Sequence, residues 1–267
     1  MTNPNEEFQR NPVKQRLDAG DPAIGMVVRL SRSGDIARIA KSSGHDFIFI
    51  DVQHAIYSLE TIGHIAQTAL GCGVAPLVRV RSCRDPDAAL LLDCGATGIV
   101  FPDVNTADDA RLAVDTCRYA PIGRRSLTSG YPIFNYRPLP PGDVVRIIND
   151  NTLVVCMIET AEGLANVDQI AAVDGVDVLL IGLTDLLYTL GKPGQLSDPA
   201  VTDAVDKVTE AARRHGKVAG IGGDSDSARQ AEYMRKGMRF YSLPSDGAFV
   251  LAGATAAAAS LRALTGA

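Results

Sequence analysis

The chain contains no tryptophan, and its 267 residues hold only seven tyrosines, seven phenylalanines and four histidines. Aromatic side chains make up 5% of it, so the bulk of any core must come from the aliphatic residues that dominate the 46% hydrophobic share. An excess of basic charge is also missing, since 26 Lys and Arg stand against 31 Asp and Glu, a net charge of −5. Tracking a nucleic-acid backbone or an anionic membrane requires a clustered basic face. The densest basic stretch, Arg118 with Arg124 and Arg125, is too short for that. Neither nucleic acid nor membrane is expected as a partner, and small-molecule chemistry becomes the better expectation.

The five cysteines, Cys72, Cys83, Cys94, Cys117 and Cys156, include no Cys-x-x-Cys pair and no histidine at zinc-like spacing. Reduced thiols are expected. The first twenty residues are polar and mixed in charge, without the apolar segment of a secretory signal, and no apolar run is expected to reach membrane-spanning length. These absences point to the cytoplasm. At 21% charged residues the composition is that of an ordinary globule, and 267 residues suit a single α/β barrel domain over 1–267 with a short polar N-terminal extension.

Short Val-, Ile- and Leu-rich runs alternate with stretches of helical period, the signature of βα units around a parallel sheet. Strands are expected at residues 24–30, 47–52, 75–80, 98–104, 153–160, 176–183, 218–222 and 240–244. Eight of them imply a closed (β/α)8 TIM barrel. The nearly continuous apolar runs 47–51 and 176–181 fit strands covered on both faces. Helices are expected at 59–70, 86–94, 107–117, 161–173, 199–215 and 227–236. The segment 119–143, with five prolines and three tyrosines, predicts a long functional or interface loop. The alanine-rich tail 252–264 predicts a terminal helix suited to close packing.

In such a barrel the active site lies at the C-terminal ends of the strands. Asp51 and His54 follow the second strand, Arg79 ends the third, Glu159 ends the fifth, and Asp185 comes just after the sixth. Two carboxylates, Glu159 and Asp185, suit a hard divalent cation and leave positions for water and a chelating substrate. Asp185 before residues 186–190 is also readable as nothing more than a helix cap. His54 is a candidate general base because imidazole titrates near neutrality. Arg79, within an apolar run, needs an anionic partner. Gly220, Gly222 and Gly223 read as a tight strand-end turn.

In their joint order, several motifs carry a more specific signal: FIFIDVQHA at 47–55, PLVR at 76–79, LLDCGA at 91–96, FPDVNTADDA at 101–110, YAPIGRR at 119–125, MIET at 157–160 and IGLTDL at 181–186. With them the chain, from Asn11 to about Ala259, resembles the class II pyruvate aldolase family that includes 4-hydroxy-2-oxoheptanedioate aldolase and macrophomate synthase. The resemblance implies that Glu159 and Asp185 hold the metal ion (Mg²⁺, Mn²⁺ or Co²⁺), with His54 serving as or positioning the base. It also implies that Arg79 stabilises an enolate oxygen. Asp93 matches the aspartate paired with that histidine, and Asp51 a supporting acid. The amides around Thr184 and Asp185 would receive the pyruvate carboxylate, and Arg125 would either meet a polar acceptor or lie on a surface loop. The last helix would be exchanged between partners in a homo-oligomer, a hexamer or trimer of dimers.

The chain departs from that pattern at Met157, where the family usually has Gln, at Gln53 for Glu, and at Gly182-Leu183-Thr184-Asp185 for Gly-Pro-x-Asp. The expected activity is aldol addition of a pyruvate enolate to an aldehyde, or cleavage of 4-hydroxy-2-oxo acids. The alternatives are oxaloacetate decarboxylation of macrophomate-synthase type, a citrate-lyase-like CoA-ester lyase, and a non-catalytic barrel that binds an oxo acid.

Overall fold

A computed structural model describes residues 10–265. The elements run α1 (Pro12–Asp18), β1 (Ala23–Val28), α2 (Asp35–Ser42), β2 (Phe47–Asp51), α3 (Leu59–Cys72), β3 (Ala75–Arg79), α4 (Ala88–Asp93), β4 (Gly98–Phe101) and α5 (Ala107–Cys117). A 3-10 turn (Pro132–Phe134) leads into α6 (Pro141–Asn151), β5 (Leu153–Ile158), α7 (Ala161–Ala165), α8 (Val167–Ala171), β6 (Val178–Gly182) and α9 (Leu183–Thr189). The chain ends with α10 (Pro199–Arg214), β7 (Val218–Gly222), α11 (Ser227–Lys236), β8 (Phe240–Ser245) and α12 (Asp246–Thr265). The eight strands are parallel and close on themselves in sequence order, as the alternating pattern predicted.

Because side chains alternate across a strand, each strand divides its residues between two cores. Phe47, Phe49, Ala75, Leu77, Leu153, Val155, Met157, Val178 and Leu180 fill the barrel interior, where the Phe47 and Phe240 rings stack with centroids 4.5 Å apart. The intervening Ile48, Ile50, Val78, Val154, Cys156 and Ile158 face outward into the helix layer. Continuing the same alternation by one step places Asp51, Arg79 and Glu159 inward, at the carboxyl ends of β2, β3 and β5. The barrel thus gathers its catalytic candidates by register alone. Gly25 lets this interior close, since a Cβ there would sit 2.0 Å from the Phe47 ring.

Several boundaries differ from expectation for local reasons. β4 stops at Phe101 rather than at 104, because Pro102 removes a donor and Asp103 takes a left-handed φ of 52°. The helix expected over 161–173 breaks into α7 and α8 at Asn166. Part of the polar N-terminal extension is structured: α1 opens on Asn11, whose side chain caps Val13 N and donates to the carbonyls of Thr97 and Asn151, seating Val13 in the base of the barrel. The rest of that extension, residues 1–9, lies outside the described residues. The 119–143 segment is ordered and contains the start of α6; its Tyr119, Tyr131 and Phe134 pack with Val144, Ile147 and Ile148 of that helix in a satellite core. All five cysteines are free thiols.

The C-terminal helix requires a correction. α12 is long and apolar enough, by length and composition, to cross a membrane, whereas no such run was expected from the sequence. Alanine is its commonest residue, but it also carries Phe249, Val250, Leu251, Leu261 and Leu264, and residues 248–264 are exposed. Its main contacts with its own barrel are near its start, with β1, β8 and the loop after β1, and Phe249 meets the His45 ring.

Candidate active site

A cavity of about 660 Å³ opens at the carboxyl ends of the strands, a size typical of small-molecule sites. Arg29, His54, Arg79, Met157, Glu159, Thr184 and Asp185 line it, together with Gly222, Gly223 and Asp224 from the end of β7. Four of the residues predicted from strand position, His54, Arg79, Glu159 and Asp185, thus converge there from β2, β3, β5 and β6.

Asp51 lies beneath this cavity and does not line it. It is fully buried and accepts hydrogen bonds from Arg79 Nε at 3.0 Å and Nη2 at 2.7 Å, from Arg29 Nε at 2.5 Å, and from the amides of Gln53 and His54 at 3.2 and 3.3 Å. Burial pushes its pKa up, but the two guanidiniums outweigh that and hold it below the usual carboxylate range. Asp51 is therefore a positioning residue. It fixes Arg79 in a fork geometry and bends the chain so that His54 faces the cavity. The third nitrogen of Arg79, Nη1, meets the Met157 sulfur at 3.7 Å, at a position where the resemblance implies Gln. His54 itself is exposed, and its ring has no hydrogen-bond partner among the described residues.

Glu159 is 2% exposed. Its Oε1 accepts the amide of Asp103 at 2.9 Å, and the left-handed backbone of Asp103 presents that amide. Burial pushes the Glu159 pKa up to about 7, with the charges of Asp103 and Asp185 adding to the rise and the Asp103 amide and Arg79 opposing it. Thr160, the next residue, caps α7 by accepting Gly163 N at 2.9 Å and so fixes the chain direction just after the carboxylate. Gly182 leaves the space beside Glu159 open, because a Cβ there would meet Oε2 at 2.5 Å. Asp185 stands exposed in the first turn of α9, whose start has no side-chain cap. Gly223, at φ 93°, keeps the neighbourhood of the Thr184 amide clear, since a Cβ would lie 3.3 Å from that nitrogen.

A divalent cation suits this donor set. Glu159 Oε2 has no hydrogen-bond partner among the described residues and lies against a glycine-shaped gap, and Asp185 is close enough to raise the Glu159 pKa. No cluster of three or more His, Cys, Asp or Glu occurs among the described residues, so protein would fill only part of a coordination sphere. That leaves room for a chelating substrate.

Besides Asp51, two more predicted residues do not line the cavity. Asp93 ends α4, just before β4 begins, and accepts a bond from Arg125 Nη2 at 2.6 Å. Arg125 is neither a surface-loop residue nor a cavity residue: it is buried, with its guanidinium 4.9 Å from the centre of the Tyr119 ring. Three participants are absent from the prediction. Arg29 lies one residue past β1, Asp246 supports its loop, and Asp224 lines the cavity in a bidentate pair with Arg229 at 2.7 Å. Sequence spacing gives little sign of them, because their partners are distant or fall on turns.

Residues 25–252 match the HpcH/HpaI aldolase/citrate lyase family. The chain belongs to that family. It is 39% identical to a 4-hydroxy-4-methyl-2-oxoglutarate aldolase of Chaetomium globosum over 80% of each chain. A protein of the same name from Hapsidospora irregularis is 36% identical over 86% of each. In structure, an HpcH/HpaI aldolase from Desulfitobacterium hafniense superposes with a TM-score of 0.88 at 30% identity, covering 93% of this chain and 96% of the other. Family membership and the aldolases among its relatives make the protein a carbon–carbon lyase of aldolase type. The same HpcH/HpaI barrel explains why four candidate residues from four strands share one cavity.

Proposed function

We propose that the enzyme cleaves 4-hydroxy-2-oxo acids to pyruvate and a second carbonyl compound, and runs the addition in reverse, with a divalent ion held by Glu159 and Asp185. The observation that carries this reading is the joint placement of buried Arg79 and the two carboxylates around one cavity. The names of its relatives favour 4-hydroxy-4-methyl-2-oxoglutarate, whose cleavage gives two molecules of pyruvate.

In cleavage the 4-hydroxyl loses its proton, the C3–C4 bond breaks, and its electron pair remains on the C3 half as an enolate. The C4 half leaves as a ketone or aldehyde, and protonation of C3 completes pyruvate. A bound Mg²⁺, Mn²⁺ or Co²⁺ would act as a Lewis acid toward the 2-oxo group. Arg79, immobilised by Asp51, places a guanidinium where negative charge grows on the enolate oxygen and needs no reorganisation to do so. The amides of Thr184 and Asp185 at the uncapped start of α9 take the substrate carboxylate. His54 receives and returns the proton at its ring.

The pairing of His54 with Asp93 implied by the resemblance is not made within one chain, where Asp93 binds Arg125. It would have to form between subunits. The exposed α12 fits the same arrangement, because an apolar groove of about 590 Å³ beside β8, lined by Ile24, Ala231, Met234, Tyr241 and Leu243, lies open on each barrel. A second copy's α12 seated there makes a cytoplasmic homo-oligomer, consistent with the free thiols.

The test is pyruvate release from 4-hydroxy-4-methyl-2-oxoglutarate. Thorough chelation should remove at least about 10²-fold of the rate, and Mn²⁺, Mg²⁺ or Co²⁺ should restore it. Full turnover in chelated enzyme would remove the metal from the reaction.

A further inference from the structure

The short loop after β1 is fastened at each of its backbone groups, yet it carries a guanidinium with two unused nitrogens. Asp246, 3% exposed, accepts the amides of Arg29 and Leu30 at 3.0 Å and of Ser31 at 2.7 Å. Arg32 Nη1 donates to the carbonyls of Arg29 and Leu30, both at 2.9 Å, and the Tyr57 hydroxyl donates to that of Ser31 at 3.0 Å. Surface loops ordinarily leave such groups to water. Here side chains from three places, the start of α12, Arg32 and the loop after β2, hold the three residues still.

What they hold at the cavity is the Arg29 side chain. Its Nε binds Asp51 Oδ2 at 2.5 Å, its side chain is 45% exposed, and Nη1 and Nη2 have no acceptor among the described residues. Asp51 is shared with Arg79 and can balance one guanidinium, not two. Asp224 is taken by Arg229, and Glu159 and Asp185 match a divalent ion. Among the described residues, Arg29 is therefore the cation at this cavity that shares its counter-ion, Asp51, and has none of its own.

We propose that Arg29 determines specificity by binding the carboxylate attached to C4 of the substrate through Nη1 and Nη2, so that the enzyme prefers 4-hydroxy-2-oxo acids that split into two oxo acids. This rests on the aldolase reading above. Arg79 and the metal-site carboxylates act on the pyruvate half, and Arg29 acts on the other half. A planar guanidinium with two free donors matches a carboxylate in a bidentate geometry, and substrates without that group leave the donors to water and forgo the charge-assisted pair.

The experiment compares kcat/KM for 4-hydroxy-4-methyl-2-oxoglutarate with kcat/KM for 4-hydroxy-2-oxopentanoate, which lacks the second carboxylate, using the full-length enzyme with Mn²⁺. In the wild type the ratio should favour the dicarboxylate. In Arg29→Met that ratio should fall by about 30-fold or more, and Arg29→Lys should recover part of it. If Arg29 merely steadied Asp51, and through it Arg79, both substrates would lose the same factor and the ratio would hold. An unchanged ratio overturns the assignment, as does a wild type without preference. Pyruvate methyl-proton exchange by the wild type distinguishes the two levels of failure. With exchange present, an unchanged ratio removes the role of Arg29 alone, whereas absent exchange removes the aldolase reading and this assignment together.

Discussion

Glu159→Gln is expected to abolish metal-dependent turnover while making the metal-free protein more stable above neutral pH. Loss of one of two charged donors should lower kcat/KM by about 10³-fold or more. The stability effect follows from burial. In the folded chain the Glu159 carboxyl titrates at about 7, against 4.5 ordinarily. Between those values the folded, metal-free protein holds a proton that the unfolded chain has released, so stability falls as pH rises through this window. Above pH 7 a charged carboxylate is left buried without a cation. Glutamine removes that penalty and can still accept the Asp103 amide. At pH 8 the gain should be on the order of 2 kcal/mol, and near pH 4.5 it should vanish. Thermal or urea unfolding of chelated protein at both pH values checks this. Added Mn²⁺ should stabilise the wild type and leave the variant unmoved.

Truncation after Leu251 is expected to reduce assembly and activity together, the latter by about 10²-fold, without unfolding the barrel. Residues 252–264 are exposed throughout, so their removal uncovers almost nothing within a chain. Asp246, which caps the Arg29 loop, is retained. An activity loss therefore has to arise from contacts between copies, such as a His54–Asp93 pairing that one chain cannot make. Light scattering, a coupled pyruvate assay and a melting curve on the same sample separate the possibilities. A fully active small species would leave α12 without a part in the site.

The barrel was legible because its two rules are local. Strand runs such as 47–51 and 153–158 stand out by composition, and period-two alternation along them delivers Asp51, Arg79 and Glu159 to one mouth. Asp185 and His54 follow from their place after a strand. Alternation could not show that Asp51 ends beneath the cavity, because its role is set by the two guanidiniums it binds. Arg29 was hidden for a related reason. Its partners lie 22 and 217 residues away, and only closure of β8 against β1 brings Asp246 under its loop. Asp93 and Arg125 sit in family motifs, but chain order does not show that within one chain they bind each other away from the cavity. α12 was underestimated because its apolar character is spread over weakly apolar alanines, with the larger Phe249, Val250, Leu251, Leu261 and Leu264 near its two ends, and it becomes conspicuous only as one continuous exposed helix.

The cavity is expected to generate a pyruvate enolate with a metal held by Glu159 and Asp185. The most direct measurement is NMR of pyruvate in D₂O with the full-length enzyme, following exchange of the methyl protons before any acceptor is added. Exchange should require Mn²⁺, Mg²⁺ or Co²⁺, stop on chelation, and be lost in Glu159→Gln. Exchange that persists in chelated enzyme, or that survives unchanged in Glu159→Gln with metal present, would contradict the account.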